Sequence, residues 1–186
     1  MTCLKTPPSP WQDAINHFVL PTEYDEIVTD DTELYEEMES SEIIPAGKPV
    51  RFYDDQGYPL EKLYSLGSKL EGALSPRVWL KSGAYLIIEP TEALTVIDVN
   101  SGKYDEKKTP EETFARINRE AAEEIAIQLR LRNLSGMILV DFINMKSSKQ
   151  EKELMTYLSD LLAHDRILAR VVDITALGLI EITRKK

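Results

Sequence analysis

Two apolar runs, each closed by an aspartate, constrain the fold of this chain more than any other feature. The first is Leu94–Asn100, LTVIDVN, which contains Asp98, and the second is residues 137–144, MILVDFIN, which contains Asp141. One long helix is predicted between them, a pattern typical of a β-α-β unit. Such a unit makes its strands parallel, with a right-handed crossover, and brings equivalent strand ends to the same edge of the sheet. The sequence therefore predicts both carboxylates at one edge of an α/β sheet.

The predicted helix between the two runs has recognisable start and stop signals. Thr109 as N-cap, Pro110 at the first helical position and Glu112 at the third form a capping box, and Asn and Gly within residues 133–136 suit a C-cap. Apolar residues follow at steps of three and four, which predicts one buried stripe. These are Phe114, Ile117, Ala121, Ile125 and Leu129.

The rest of the chain divides near Pro76 into two α/β parts. The predicted elements before the boundary are helices over 11–19, 32–38 and 60–74 and strands over 26–29 and 50–53. After it we predict strands over 78–83, 84–89, 169–174 and 179–183, a helix that begins with a capping box of Ser148 and Glu151 and runs to His164, and a basic tail over 184–186. Residues 1–76 and 77–186 are accordingly predicted as two subdomains.

Composition describes a globular chain with an uneven distribution of charge. At 186 residues the chain is long enough for a core, and its net charge is −10. Residues 1–76 carry five basic and fifteen acidic side chains, whereas residues 77–186 carry seventeen of each. The second part therefore has enough basic side chains to form a local basic surface. No signal-like or membrane-spanning run is evident, which favours a cytoplasmic protein, and the single cysteine, Cys3, excludes an internal disulfide.

The two aspartates are the best candidates for chemistry. Adjacent strands lie ~4.8 Å apart, so the carboxylates of Asp98 and Asp141 could share a cation, and Mg²⁺ is the natural one because it takes one or two carboxylates and completes its shell with water and phosphate. Alternation of side chains puts Asn100 on the same face as Asp98 and puts Asn144 opposite Asp141. The alternative is that each aspartate only caps the turn after its strand.

Weaker candidates are basic. Lys103, Lys107 and Lys108 follow Asn100 in a loop at the same edge, where they could hold a phosphate backbone or simply be solvated. Arg130 and Arg132 end the long helix, where a positive charge favours the helix C-terminus. The two histidines, His17 and His164, are interpreted as structural.

Three segments resemble the catalytic region of the bacterial ribonuclease E/G family. They are SGAYLIIEPTEALTVIDVNSGK, INREAAEEIAIQLRLRNLSGMILVDFINM and HDRILARVVDITALGLIEITRKK, which together span about residues 77–186. DEIVTDDTELYEE and YPLEKLYSLGSKLEGALSPRVWL are more weakly similar to the segment that precedes the core. The resemblance implies a deoxyribonuclease-I-like mixed-sheet subdomain over 77–186, preceded by part of a ribonuclease-H-like α/β subdomain.

The same resemblance implies an activity and a site. It implies endonucleolytic hydrolysis of single-stranded RNA, rather than DNA, leaving a 5′-phosphate and a 3′-hydroxyl, in RNA processing and decay. By motif, Asp98 and Asp141 hold Mg²⁺, for which Mn²⁺ is a substitute, and Asn100 supports the site. The metal would help to position the attacking group and neutralise charge on the scissile phosphate.

The chain departs from the family pattern at several positions. Asn144 stands where the family frequently has Asp, and Ala84 and Ser135 each replace a glycine. The family's N-terminal oligonucleotide-binding domain and 5′-end sensor would precede residue 1, and the cysteines of its zinc link would follow Lys186. The sequence is therefore interpreted as an excised catalytic core with no zinc site of its own, and a homo-oligomer is an open option.

Two other functional hypotheses remain at this stage. One is a non-catalytic fragment of the same fold that acts as an assembly or regulatory module. The other is a small-molecule phosphatase or phosphodiesterase that uses the same carboxylate pair.

Overall fold

The computed structural model describes residues 9–17, 24–102, 110–145 and 147–185. The helices are Pro10–His17 (α1), Thr32–Glu39 (α2), Leu60–Leu63 (α3), Leu66–Leu74 (α4), Pro110–Leu131 (α5) and Ser148–Ala163 (α6). The strands are Ile27–Thr29 (β1), Val50–Phe52 (β2), Arg77–Trp79 (β3), Tyr85–Pro90 (β4), Leu94–Asn100 (β5), Gly136–Asp141 (β6), Ala169–Ile174 (β7) and Ile180–Arg184 (β8). Among these helices none is long and apolar enough to cross a membrane.

The chain divides into two compact units, Met1–Lys69 and Leu70–Lys186. In the first unit β1 and β2 form a parallel pair, and α2 packs against both strands. The Asp31 carboxylate caps α2 by accepting a hydrogen bond from the Leu34 amide at 2.9 Å, as an N-cap residue should.

The second unit contains one six-stranded mixed sheet with the order β3-β4-β5-β6-β8-β7. Strands β5 and β6 are parallel, and all other neighbours are antiparallel. The predicted β-α-β unit is therefore confirmed, with α5 as its crossover, and so is the α/β class with a mixed sheet. The likeness of the two parts to deoxyribonuclease I and ribonuclease H stays a prediction.

One face of this sheet forms the core with α5 and α6. Along β5 the side chains of Thr95, Ile97 and Val99 are buried, whereas the four that alternate with them are half-buried. Ile117, Ala121, Ile125 and Leu129 of the predicted α5 stripe are all buried, and they pack with the apolar side of α6 and the sheet. Burying one such aliphatic side chain is worth about 1.5–3 kcal/mol, so this shared face is the main source of stability.

The ends of several elements differ from the sequence predictions. The strand predicted over 78–83 is shorter, Arg77–Trp79, because the chain turns at Gly83, whose φ is 85°. The predicted helix over 60–74 is two helices, because Ser65 adopts a left-handed φ of 51° between them. The cap of α6 is Ser147, whose hydroxyl accepts from the Gln150 amide, rather than Ser148. Arg184 is a buried residue of β8 and not part of a basic tail.

The C-terminal end of α5 agrees with its prediction. The helix ends at Leu131, and left-handed φ values at Asn133 (48°) and Gly136 (90°) turn the chain into β6. At the other end of α5, Thr109 lies outside the described residues, so the predicted cap there stays a prediction.

Candidate active site

The two aspartates lie opposite each other on adjacent parallel strands. In the register of β5 and β6, Asp98 pairs with Asp141, directly after the pairing of Ile97 with Val140. Neighbouring strands are separated by ~4.8 Å, so the two carboxylates start from backbone positions close enough to act on one ion. Topology therefore brings together two residues that are 43 positions apart in the sequence.

Both carboxylates belong to the face of the sheet that α5 and α6 do not cover. Ile97 and Val140 are fully buried beneath the helices, so the next residue of each strand projects to the opposite side. Asp98 is half-buried there and Asp141 is exposed. We call this side, defined on β5 by Leu94, Val96, Asp98 and Asn100, the carboxylate face. A ligand can reach both acids from it.

Asn100 fixes the position of one carboxylate. It lies two residues beyond Asp98 on the same face, and its side-chain amide donates a hydrogen bond to Asp98 Oδ2 at 2.7 Å. A hydrogen bond to an ionised acceptor is shorter and stronger than a neutral one. The bond holds the Asp98 carboxylate along the strand.

A close backbone approach supports the segment that follows Asn100. Gly102 has a φ of 63°, and a Cβ built on it would lie 2.4 Å from the carbonyl oxygen of Gly83, in the turn between β3 and β4. Only glycine permits that separation, because real Cβ atoms do not approach a backbone oxygen so closely. The glycine therefore holds the end of β5 against the neighbouring turn.

Asn118 of α5 anchors the chain just beyond Asp141, a role that the sequence analysis missed. Its side chain is fully buried, donates to the Ile143 carbonyl at 2.7 Å and accepts from the Ile143 amide at 3.0 Å. The signal in the sequence was a polar residue next to Ile117 in the apolar stripe. The crossover helix is thus hydrogen-bonded to the segment that directly follows β6, the strand that carries Asp141.

Of the predicted basic residues, only Arg130 and Arg132 lie within the described ranges. Lys103, Lys107 and Lys108 lie outside the described residues. Arg130 and Arg132 are at the C-terminal end of α5, next to the start of β6, whereas Asp141 is at its end, about 17 Å away along a strand of this length. Their role in RNA binding stays a prediction.

Arg132 already has protein partners. Its guanidinium donates to the Ser75 carbonyl at 2.6 Å and to Gln128 Oε1 at 2.7 Å, and burial lowers its pKa. These contacts join the end of α5 to the residues before β3.

The remaining departures from the family pattern do not touch the carboxylates. β6 ends at Asp141, so strand alternation does not extend to Asn144, which is exposed in the following segment. Ala84 is fully buried in the turn region before β4, and Ser135 is half-buried before β6. At the end of α6 the His164 amide donates to the Leu161 carbonyl at 3.3 Å, and the Asp165 amide donates to the Leu162 carbonyl at 3.0 Å.

The donor set at the edge is small. Within the described ranges no group of three or more His, Cys, Asp or Glu side chains could hold a metal ion. Two carboxylates nevertheless fit Mg²⁺, which usually keeps several waters and takes further ligands from phosphate oxygens. The residues present therefore suit a magnesium site that is completed by substrate and water.

The fold and the carboxylate pair place this chain in the class of α/β proteins with two carboxylates at the carboxyl ends of adjacent parallel strands. The sequence profile described as the ribonuclease E/G family matches residues 2–186. The chain belongs to that family.

The similarity to individual members of the family supports this membership. The chain is 44% identical over 142 residues to a ribonuclease E of Nostoc sp., covering 76% of this chain and 20% of the relative. It is 47% identical over 123 residues to a ribonuclease E of Synechocystis sp., covering 66% and 18%. A ribonuclease G of Escherichia coli is 41% identical over 128 residues, covering 69% and 26%. The matched part is thus only about a fifth to a quarter of the length of these relatives.

Proposed function

We propose that this chain is the catalytic core of an endoribonuclease that hydrolyses phosphodiester bonds of single-stranded RNA, leaving a 5′-phosphate and a 3′-hydroxyl. The observation that carries the proposal is the register pairing of Asp98 with Asp141 on the face of the sheet opposite α5 and α6. Membership of the ribonuclease E/G family, and the names of the relatives, support RNA as the substrate. The location in the cell and the oligomeric state stay predictions.

Asp98 and Asp141 would hold Mg²⁺, for which Mn²⁺ is a substitute. When bound there, the ion would supply stabilisation of the negative charge that develops on the scissile phosphate. Asn100 would keep the Asp98 carboxylate in one orientation, because its amide already donates to one carboxylate oxygen. Such supporting contacts are part of what makes a metal site effective.

The shape of the carboxylate face favours a flexible polymer. Asp141 is exposed at this edge of the sheet, so an extended strand can reach it. The proposed function therefore needs the residues around the carboxylates to hold the RNA, because the two acids repel its phosphates until a cation is bound.

Two substitutions separate this proposal from a non-catalytic module. A short fluorescent A/U-rich RNA is incubated with Mg²⁺ or with chelator and with the unaltered chain, Asp98→Asn or Asp141→Asn. We expect cleavage that requires Mg²⁺ and falls by at least about 100-fold in either variant, as expected for loss of a group that stabilises transition-state charge. Circular dichroism checks that both variants keep their fold.

Asp160→Asn is the matched control. Asp160 is an exposed aspartate of α6, away from the carboxylate face, and the same change of charge there should leave cleavage unaltered. Equal cleavage by all four proteins would overturn the site. No cleavage by the unaltered chain would favour the assembly module, and hydrolysis of a mononucleotide ester but not of RNA would favour a small-molecule phosphodiesterase.

A further inference from the structure

An aromatic pair lies on the carboxylate face beside the aspartates. In the register of β4 and β5, Tyr85 pairs with Asn100, and in the register of β3 and β4, Trp79 pairs with Tyr85. Paired residues of adjacent strands share a face, so Trp79 and Tyr85 are on the same side as Asp98. Strand spacing puts Tyr85, on the adjacent strand, ~5 Å from β5 and Trp79, on the next strand, ~10 Å from it.

The pair is packed as an open platform. The two ring centroids are 5.1 Å apart with an interplanar angle of 57°. The guanidinium carbon of Arg77 lies over both rings, 4.7 Å from the Tyr85 centroid and 5.7 Å from the Trp79 centroid. Trp79 is 63% exposed. A tryptophan is usually well buried, and here the exposed ring contributes little to the core, so the fold alone does not account for it.

The chemistry of this cluster matches a nucleotide. An aromatic face stacks on any nucleobase, and a guanidinium held beside it can contact a phosphate bidentately. Two rings and one cation are a small patch for a stable protein interface, which usually buries about 800 Å² on each partner. The cluster also continues directly into the carboxylates through Asn100.

We infer that Arg77, Trp79 and Tyr85 form a stacking subsite on which one base of the single-stranded RNA rests while an adjoining phosphodiester lies at Asp98 and Asp141. This inference rests on the proposed function and adds positioning residues to the same site. Because stacking accepts every base, the subsite grips RNA with little sequence preference.

Tryptophan fluorescence isolates the contact. The chain has two tryptophans, so Trp11→Phe leaves Trp79 as the only one, and Asp98→Asn in the same chain prevents cleavage. Titration with an A/U-rich RNA should quench the emission. The same ribose-phosphate strand carrying abasic positions tests whether a base is needed, and it should quench far less.

Substitution of the ring gives the second measurement. In the Asp98→Asn chain, Trp79→Ala should weaken RNA binding by about 5- to 150-fold, whereas Trp79→Phe should keep most of it, because a base stack is worth ~1–3 kcal/mol. In the cleavage-competent chain, Trp79→Ala should raise KM more than it lowers kcat. Leu177→Ala, at an 86% exposed residue outside this cluster, is the control and should change neither.

The outcomes separate this inference from the proposed function. If cleavage depends on Asp98 but Trp79→Ala binds RNA like its parent, the subsite is overturned and the nuclease stands. If RNA is not cleaved although it quenches Trp79, the proposed activity fails and the binding subsite is retained. If Trp79→Ala instead dissociates an oligomer and RNA does not quench, the rings form a protein interface and the inference is wrong.

Discussion

Asn100 and Asp98 show how much of the candidate site is decided by single side chains. They lie two residues apart on one strand, so alternation alone puts them on one face, and the 2.7 Å hydrogen bond between them follows from that placement. A carboxylate fixed in this way loses little freedom when it binds an ion.

Removing this hydrogen bond should reduce activity without unfolding the chain. We expect Asn100→Ala to lower the rate of RNA cleavage by about 10- to 100-fold, the range found when a supporting contact of a metal ligand is lost. Steady-state cleavage at several Mg²⁺ concentrations measures the effect. Asn144→Ala is the control, since Asn144 lies beyond the strand, and a loss of the same size there would contradict our assignment.

A buried ion pair dominates the far end of the sheet. Arg184 Nε and Asp165 Oδ2 are 2.7 Å apart, with each side chain 2% exposed, and Arg184 also donates to the Leu134 carbonyl and Asn133 Oδ1. Burial opposes ionisation of Asp165, but the hydrogen bonds from Arg184 and from the Ile167 amide outweigh it and lower the pKa of Asp165. The pair should therefore be fully charged at neutral pH.

Breaking the pair should be costly, and the cost should depend on pH. Asp165→Asn is expected to lower the free energy of unfolding by about 3–5 kcal/mol at pH 7, because it leaves the Arg184 charge buried without a partner. The folded pKa of Asp165 is below the ordinary 3.8, so the contribution of the carboxylate is present above pH 3.8 and is lost as the pH falls through the folded value.

Denaturant unfolding at pH 7 and at about pH 3 checks this expectation. The difference between the unaltered chain and Asp165→Asn should shrink in acid. Replacing both partners, with Asp165→Leu and Arg184→Met, should cost less than Asp165→Asn alone, since no charge is then left unpaired. A constant difference at both pH values would show that ionisation of Asp165 does not contribute.

The β-α-β unit is the element that creates the site. Its helix buries an apolar stripe on one face of the sheet, which forces Asp98 and Asp141 onto the other. Asn118 then ties this helix to the segment after β6 through two hydrogen bonds to Ile143. The crossover helix thus determines the order of β5 and β6 and the path of the chain after β6.

Truncating Asn118 should weaken the attachment of the Ile143 segment to α5. We expect Asn118→Ala to destabilise the chain by about 1–3 kcal/mol, because the amide and carbonyl of Ile143 lose their buried partner. Hydrogen exchange at the Ile143 amide should accelerate. Arg116→Ala, at an exposed position of the same helix, serves as control, and equal destabilisation there would show that the loss is not specific to the hydrogen bonds of Asn118.

At the scale of the whole molecule, folding and metal binding should be linked. A Mg²⁺ ion that binds the carboxylates only in the folded chain adds ~2.7 kcal/mol of stability at 100 times its Kd. Thermal unfolding with Mg²⁺ and with chelator measures this shift in Tm. The shift should vanish in Asp98→Asn and persist in Asp160→Asn, and a shift of equal size in both would refute binding at Asp98.

Much of the second unit could be predicted because its signals are local. Alternation divided the residues of β5 between the two faces that the structure shows, and steps of three and four identified the buried stripe of α5. The break at Ser65 could not be predicted in this way, since apolar spacing alone does not reveal a left-handed residue between two helices. The burial of Arg184 was missed because a charged residue near a chain end is ordinarily solvated.

The sequence by itself determined the fold class, the crossover helix and the pairing of the two aspartates with one sheet edge, because these follow from periodicity within short segments. Only the tertiary structure decided the register that pairs Asp98 with Asp141. It also decided the hydrogen bonds between Asn118 and Ile143. The same holds for the position of Trp79 and Tyr85 beside Asn100. Those contacts join residues from separate elements, and their partners are selected by how the strands and helices pack, which no local pattern encodes.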